Sequence, residues 1–148
     1  MTVEAVLDAN VLLYAASKDP ADRAKAQIAL RLLATTDFGL PLQAVQEFFH
    51  NARVKARLAI DADHCDRMVA ALLQRPVAVT DLRLFAHARR VCRRYQLRYW
   101  DAAILAAAKE LGAQTLYSED LSHGQTYEGV RVVNPFLERE AQAAPPAS

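Results

Sequence analysis

Apolar residues along this chain fall into short runs that alternate with longer stripes at helical spacing. The run at residues 3–7 is short enough for a buried strand, and it stops on Asp8. A helix is expected at 11–17, ended by the Asp19-Pro20 turn signal. Ile28, Leu32 and Leu33 mark a second helix at 21–34, and 38–40 reads as a very short strand closed by Pro41. A third helix is predicted over 42–58. Val45, Phe48, Phe49, Ala52 and Ala56 share its apolar face, and Glu47 points away beside Gln43 and His50. An acid-started helix at 61–74, a strand at 77–79 and a helix at 82–95 behind Asp81 follow. No polar side chain interrupts residues 102–108, which predicts a helix buried nearly all round, with Asp101 in its first turn. The neighbouring Trp100 suggests that Asp101 is not openly solvated. Gly112 stops that helix. A parallel strand at 114–117, a long connection at 118–129 and a last strand at 130–133 complete the pattern.

Strands alternating with helices predict an α/β fold: a short parallel sheet flanked by helices. One domain is expected over 1–137, followed by a disordered Ala/Pro-rich tail at 138–148. A chain of 148 residues, 53% hydrophobic, is long enough for a real core. The formal net charge is +1, so any argument for a charged partner rests on where the charges sit. They are least even in the 82–95 helix. Leu84, Phe85, Ala88, Val91, Cys92 and Tyr95 project to one face and Arg83, His87, Arg90 and Arg94 to the other, with Arg89 and Arg93 on a flank. No acidic residue lies between Asp81 and Asp101. Such a face is either solvated or suited to a phosphate-rich partner or an acidic protein segment. No apolar run approaches a membrane span, and no secretion signal is recognisable. Cys65 and Cys92 stand in no metal-binding spacing and are expected to be packing residues in a reducing cytoplasm.

Acidic residues recur where strands end or helices begin: Asp8, Asp101 and Asp120, with Glu47 on the third helix. Each alone reads as a cap or a solvated charge, and Asn10 is a capping residue type. Gathered at one sheet edge they would repel, by about 4 kcal/mol per pair at ~4 Å and an effective dielectric near 20. Protonation or a cation must relieve that. Hard carboxylate oxygens suit Mg²⁺ or Mn²⁺, which support in-line displacement at phosphorus. No serine, histidine or cysteine arrangement offers a rival nucleophile, and HExxH, P-loop and GxGxxG motifs are absent.

Four segments, Val6-Leu7-Asp8-Ala9-Asn10-Val11-Leu12, Gln46-Glu47-Phe48, Tyr99-Trp100-Asp101-Ala102-Ala103-Ile104 and Leu116-Tyr117-Ser118-Glu119-Asp120-Leu121, resemble in wording and order the PIN-domain nucleases. The likeness is greatest to the VapC-like toxins of type II toxin–antitoxin systems. It implies a three-layer fold, an RNA substrate, and an acidic pocket of Asp8, Glu47, Asp101 and Asp120. Asp8, Asp101 and Asp120 would hold Mg²⁺ or Mn²⁺. It also implies a homodimer and a cognate antitoxin. Asn10 matches the polar residue beside the first acid, and Ser118 would orient Asp120. Many relatives carry a single acid in the fourth motif, whereas Glu119 and Asp120 are adjacent here. Glu119 would then reach the substrate side or anchor the long connection. Arg83, Arg90 and Arg94 form a stripe suited to RNA phosphates or to an acidic stretch of the antitoxin. Two rivals stand beside this reading. A haloacid-dehalogenase-like phosphatase needs a second aspartate where Asn10 stands. A catalytically inactive RNA-binding or interaction module would leave the acids as caps.

Overall fold

The computed structural model describes residues 2–137, so the expected tail lies outside the described residues. Its strands are β1 (Ala5–Leu7), β2 (Phe38–Pro41), β3 (Val77–Ala78), β4 (Thr115–Tyr117), β5 (Thr126–Tyr127) and β6 (Val130–Val133). Its helices are α1 (Ala9–Ala16), α2 (Arg23–Thr35), α3 (Leu42–Val54), α4 (Ala62–Leu72), α5 (Leu82–Tyr95) and α6 (Tyr99–Glu110). The sheet order is β3-β2-β1-β4-β6-β5, parallel except for β5, which pairs antiparallel with β6. β1 and β2 are buried along their whole length, as a parallel sheet covered on both faces requires.

The period of two in β1 divides the core. Leu7 packs into a cluster with Val11, Leu12, Phe48 and Leu72, beneath α1 to α4. Val6 turns the other way, onto Val91, Ala102, Leu105 and Leu116, beneath α5 and α6. Helices therefore cover the sheet on both sides, the three-layer α/β arrangement expected. α6 lies against α5 through Ala106 and Ala107 beside Leu84 and Ala88. Side chains that small let two helices approach closely, which accounts for the unbroken apolar stretch. A Schellman cap ends α6: Gly112 (φ +73°) and Ala113 donate to the carbonyls of Lys109 and Ala108.

Three expectations need correction. The first helix begins at Ala9, because the Asp8 carboxylate caps it by accepting the Ala9 N–H, so Asn10 lies inside the first turn. The third helix stops at Val54 rather than 58. A 3₁₀ turn at Ala56–Leu58 follows, where buried Leu58 accepts from Lys18 N–H and Arg57 reaches Asp19 and Asp22. These contacts pull the chain out of the helix and leave Ala56 exposed; Phe49 is exposed as well. The Asp101 side chain is only 20% exposed, as its expected shielding requires, although Trp100 itself stands open to solvent. The long connection at 118–129 contains β5, which joins β6 through a two-residue turn with Glu128 at φ +51° and Gly129 at φ +83°, the mirror-image type I geometry.

Candidate active site at the carboxyl ends of the strands

β1 lies between β2 and β4. The chain leaves β1 toward β2 and later returns on the opposite side to form β4. The crevice between β1 and β4 is thus a topological switch point, the position at which open α/β sheets bind ligands. Asp8 leaves β1 there, fastened by its own N–H to the Tyr117 carbonyl at 3.0 Å. Ser118 to Asp120 leave β4 beside it. α3 starts directly after β2 and brings Glu47 on its second turn, and α6 presents Asp101 in its first turn. Asp8, Glu47, Asp101 and Asp120 line a single pocket, together with Gln43, Arg98, Trp100 and Ile104 among others.

Asp8 is the most constrained of the four acids. Its Oδ1 accepts the Ala9 N–H at 2.7 Å and its Oδ2 the Ser118 hydroxyl at 2.8 Å. Burial nevertheless pushes its pKa up from 3.8 to about 6. The Ser118 and Ala9 hydrogen bonds oppose the rise, and the negative charges of Asp120 and Glu47 add to it. Asp120 is also raised, first by burial and then by the charges of Glu119 and Asp101. The Arg98 charge pulls Asp120 back, and Arg98 Nε sits 3.2 Å from Asp101 Oδ2. Glu47 is steadied by Gln43, whose Nε2 donates to Oε1 at 2.8 Å one turn away.

The remaining sequence-predicted residues stand outside the pocket lining. Asn10 does not line the pocket; its Nδ2 donates to Asp120 Oδ2 at 3.0 Å and holds that carboxylate. Ser118 is fully buried and braces two of the acids: it donates to Asp8 and accepts the Asp120 N–H at 3.2 Å. Glu119 is turned to the other side, where Lys25 Nζ lies 2.7 Å and the Tyr14 hydroxyl 2.9 Å from its carboxylate. Asp120, and not Glu119, faces the pocket. The arginine stripe on α5 is less bare than its sequence implied. Arg83 pairs with Glu110, while half-buried His87 lies 2.8 Å and Arg94 3.8 Å from Glu128. The acids that answer these charges come from α6 and the β5–β6 turn, which a helical projection of α5 cannot show. Of the pocket's lining, Arg98 and Trp100 were not recognised as site residues. The three-residue spacing of Arg98 and Asp101 across a helix start was the available signal for the arginine.

Oxygen donors make up the acidic lining, with no thiol or imidazole among the lining residues. That composition fits a hard divalent cation. Among the described residues no three His, Cys, Asp or Glu side chains are drawn tightly enough together to form a ready-made metal site. The negative charges of Asp120 and Glu47 bear on Asp8, and burial leaves its own charge poorly compensated. Both are properties that a cation would relieve.

The PIN-domain family model matches residues 5–128. The chain belongs to the PIN-domain family. Solved structures similar to this PIN domain include a toxin–antitoxin complex from Klebsiella pneumoniae, at 19% identity and a TM-score of 0.66 over 89% of this chain and 98% of that one. FitAcB from Neisseria gonorrhoeae is similar at 18% identity and a TM-score of 0.62, with the same two coverages, 89% and 98%. The sarcin–ricin-loop-cleaving toxin VapC20 of Mycobacterium tuberculosis is similar at 17% identity and a TM-score of 0.57, over 86% and 99%. At these identities the likeness is one of fold. No curated protein sequence gives a significant match. No helix among the described residues is long and apolar enough to cross a membrane.

Proposed function

We propose that this PIN domain is a divalent-metal-dependent endoribonuclease, the toxin of a toxin–antitoxin pair. The observation that carries the reading is the convergence of four carboxylates from four separate elements on one pocket at the switch point, with Asp8 raised to about 6 by burial and its neighbours. Asp8, Asp101 and Asp120 would hold Mg²⁺ or Mn²⁺, and Glu47, on the facing helix, would accept a proton from the attacking water. A cation bound there supplies an activated water and neutralises charge on the phosphodiester. The protein's own groups orient the acids: Ser118 fixes Asp8, Asn10 fixes Asp120 and Arg98 fixes Asp101. The toxin–antitoxin complex among the structures of like fold supports an antitoxin partner, and a homodimer is part of the same proposal, as is a cytoplasmic location.

The test is a metal titration of the purified protein. Mg²⁺ or Mn²⁺ should raise the melting temperature and switch on RNA cleavage together, and EDTA should reverse both. Cleavage that proceeds equally well in excess EDTA would overturn the metal-dependent reading. A rise in melting temperature with no cleavage of any cellular RNA would favour the non-catalytic binding module.

A further inference from the structure

Trp100 is 64% exposed, although it is the chain's single tryptophan and among its largest apolar side chains. A soluble domain gains by burying an indole. Here the ring is displayed at the mouth of the carboxylate pocket, which Trp100 itself lines. It is also held in place. Tyr99 packs edge-on against it, with ring centroids 4.9 Å apart and planes at 72°. Phe85 of α5 buttresses Tyr99 in the same manner, at 5.7 Å and 66°. An aromatic chain anchored on α5 thus presents an ordered indole beside four carboxylates, with the largely exposed Arg98 side chain at the same helix start.

We propose that Trp100 is a stacking seat for an unpaired nucleobase of the RNA, next to the phosphodiester positioned over the carboxylates. The inference rests on reading the pocket as an RNA-hydrolysing site, and it adds what the acids cannot supply. Carboxylates and a cation act on the phosphate, which is the same at every position of the chain. An aromatic face reads whether the neighbouring base is free to leave its stack, since a base paired inside a duplex cannot lie on it. Trp100 therefore selects single-stranded or looped RNA over helices, and Arg98 assists from the same rim through its charge.

The test uses the full-length protein and its one indole. On rapid mixing with a single-stranded RNA oligomer in Mg²⁺, Trp100 fluorescence should fall saturably before turnover, and the same sequence in a duplex should leave it unchanged. Trp100→Ala should raise KM for the single strand by roughly 5- to 150-fold, the range of base stacking on an aromatic ring, with kcat within about threefold of wild type. Trp100→Phe should restore most of the affinity. Equal quenching by duplex, an unchanged KM in Trp100→Ala, or a Phe variant as impaired as the Ala variant would overturn the proposal. So would a concentration-dependent fluorescence change without RNA, which would make this face a contact between two copies of the chain. Metal-dependent cleavage with an unaltered KM in Trp100→Ala sinks the stacking seat and leaves the nuclease reading standing. Selective quenching without cleavage does the reverse.

Discussion

Replacing Asp8 with asparagine should stabilise the metal-free protein at neutral and alkaline pH, although it removes a residue at the centre of the fold. The Asp8 carboxylate titrates near 6 in the folded chain against 3.8 when unperturbed. A folded-state pKa above the unfolded one means the native state binds the proton more tightly. The fold is thus favoured below pH 3.8, and that advantage is lost as the pH rises through 6. The difference corresponds to ~3 kcal/mol, fully lost by pH 8. Asparagine keeps the shape, and its Oδ1 can still accept the Ala9 N–H that caps α1. The amide cannot accept the Ser118 hydroxyl as the carboxylate does, which costs about 1 kcal/mol. Asp8→Asn should therefore unfold at a temperature about 5 °C higher than wild type at pH 8 in EDTA, taking ~2–4 °C per kcal/mol for a domain of this size. The gain should vanish or reverse near pH 4. All other titrating groups are common to both proteins, so the difference reports position 8 together with its coupling to Asp120 and Glu47. Paired thermal melts at pH 4, 6 and 8 in EDTA measure it. A variant less stable than wild type at pH 8, or a difference that does not change with pH, would show that the carboxylate acts as a stabilising cap and that its burial carries no stored repulsion.

Other outcomes follow from the same geometry. Asp120→Ala should lose Mn²⁺ affinity and RNA cleavage together, while Glu119→Ala should keep the metal and lower the melting temperature by a few degrees, since Glu119 bonds Lys25 and Tyr14; calorimetric Mn²⁺ titration and melts of both variants decide it. Asp22→Ala should cost on the order of 1–3 kcal/mol in urea unfolding, because its buried carboxylate accepts from Ser17 and Arg57 and ties the 3₁₀ turn after α3 to the start of α2. Neutralising Arg83, Arg90 and Arg94 together should weaken RNA binding and flatten its dependence on salt without altering metal affinity. An unchanged slope across a salt series would make the stripe an intramolecular one, as the pairs with Glu110 and Glu128 already make it in part.

Much of the site was legible because its acids stand at the ends of elements that hydrophobic pattern marks out. Asp8 follows an apolar run, Asp120 lies just beyond β4, and Asp101 precedes the apolar stretch 102–108 of its helix; a parallel sheet with β1 in the middle then has few ways to avoid bringing them together. What was not legible depended on partners distant in sequence. The break after Val54 is imposed by Lys18, Asp19 and Asp22 acting on residues 57 and 58, a tertiary effect that local periodicity does not contain. β5 went unseen because two residues are too few for a pattern, and Glu128-Gly129 is a weaker turn signal than Asn-Gly or Asp-Gly. Trp100 signalled the shielding of Asp101, but its own place was not legible: only the packing of Tyr99 and Phe85 shows the indole standing clear at the rim. Adjacent acids at 119 and 120 were resolved by the chain's direction as it leaves β4, which sends one to Lys25 and the other to the pocket.

The most direct measurement of the central claim is the chemistry of the RNA ends. Water attacking phosphorus leaves linear phosphate and hydroxyl termini, whereas attack by the RNA's own 2′-hydroxyl, which needs no metal, leaves a 2′,3′-cyclic phosphate. End-labelled RNA incubated with purified wild-type protein in Mg²⁺, then in EDTA, then with Mg²⁺ restored, and in parallel with Asp8→Asn, puts both questions to one gel. The account predicts linear ends only, appearing with Mg²⁺, disappearing with EDTA, returning on restoration, and absent throughout with Asp8→Asn. Cyclic phosphate ends, or cleavage by Asp8→Asn at the wild-type rate, would contradict it.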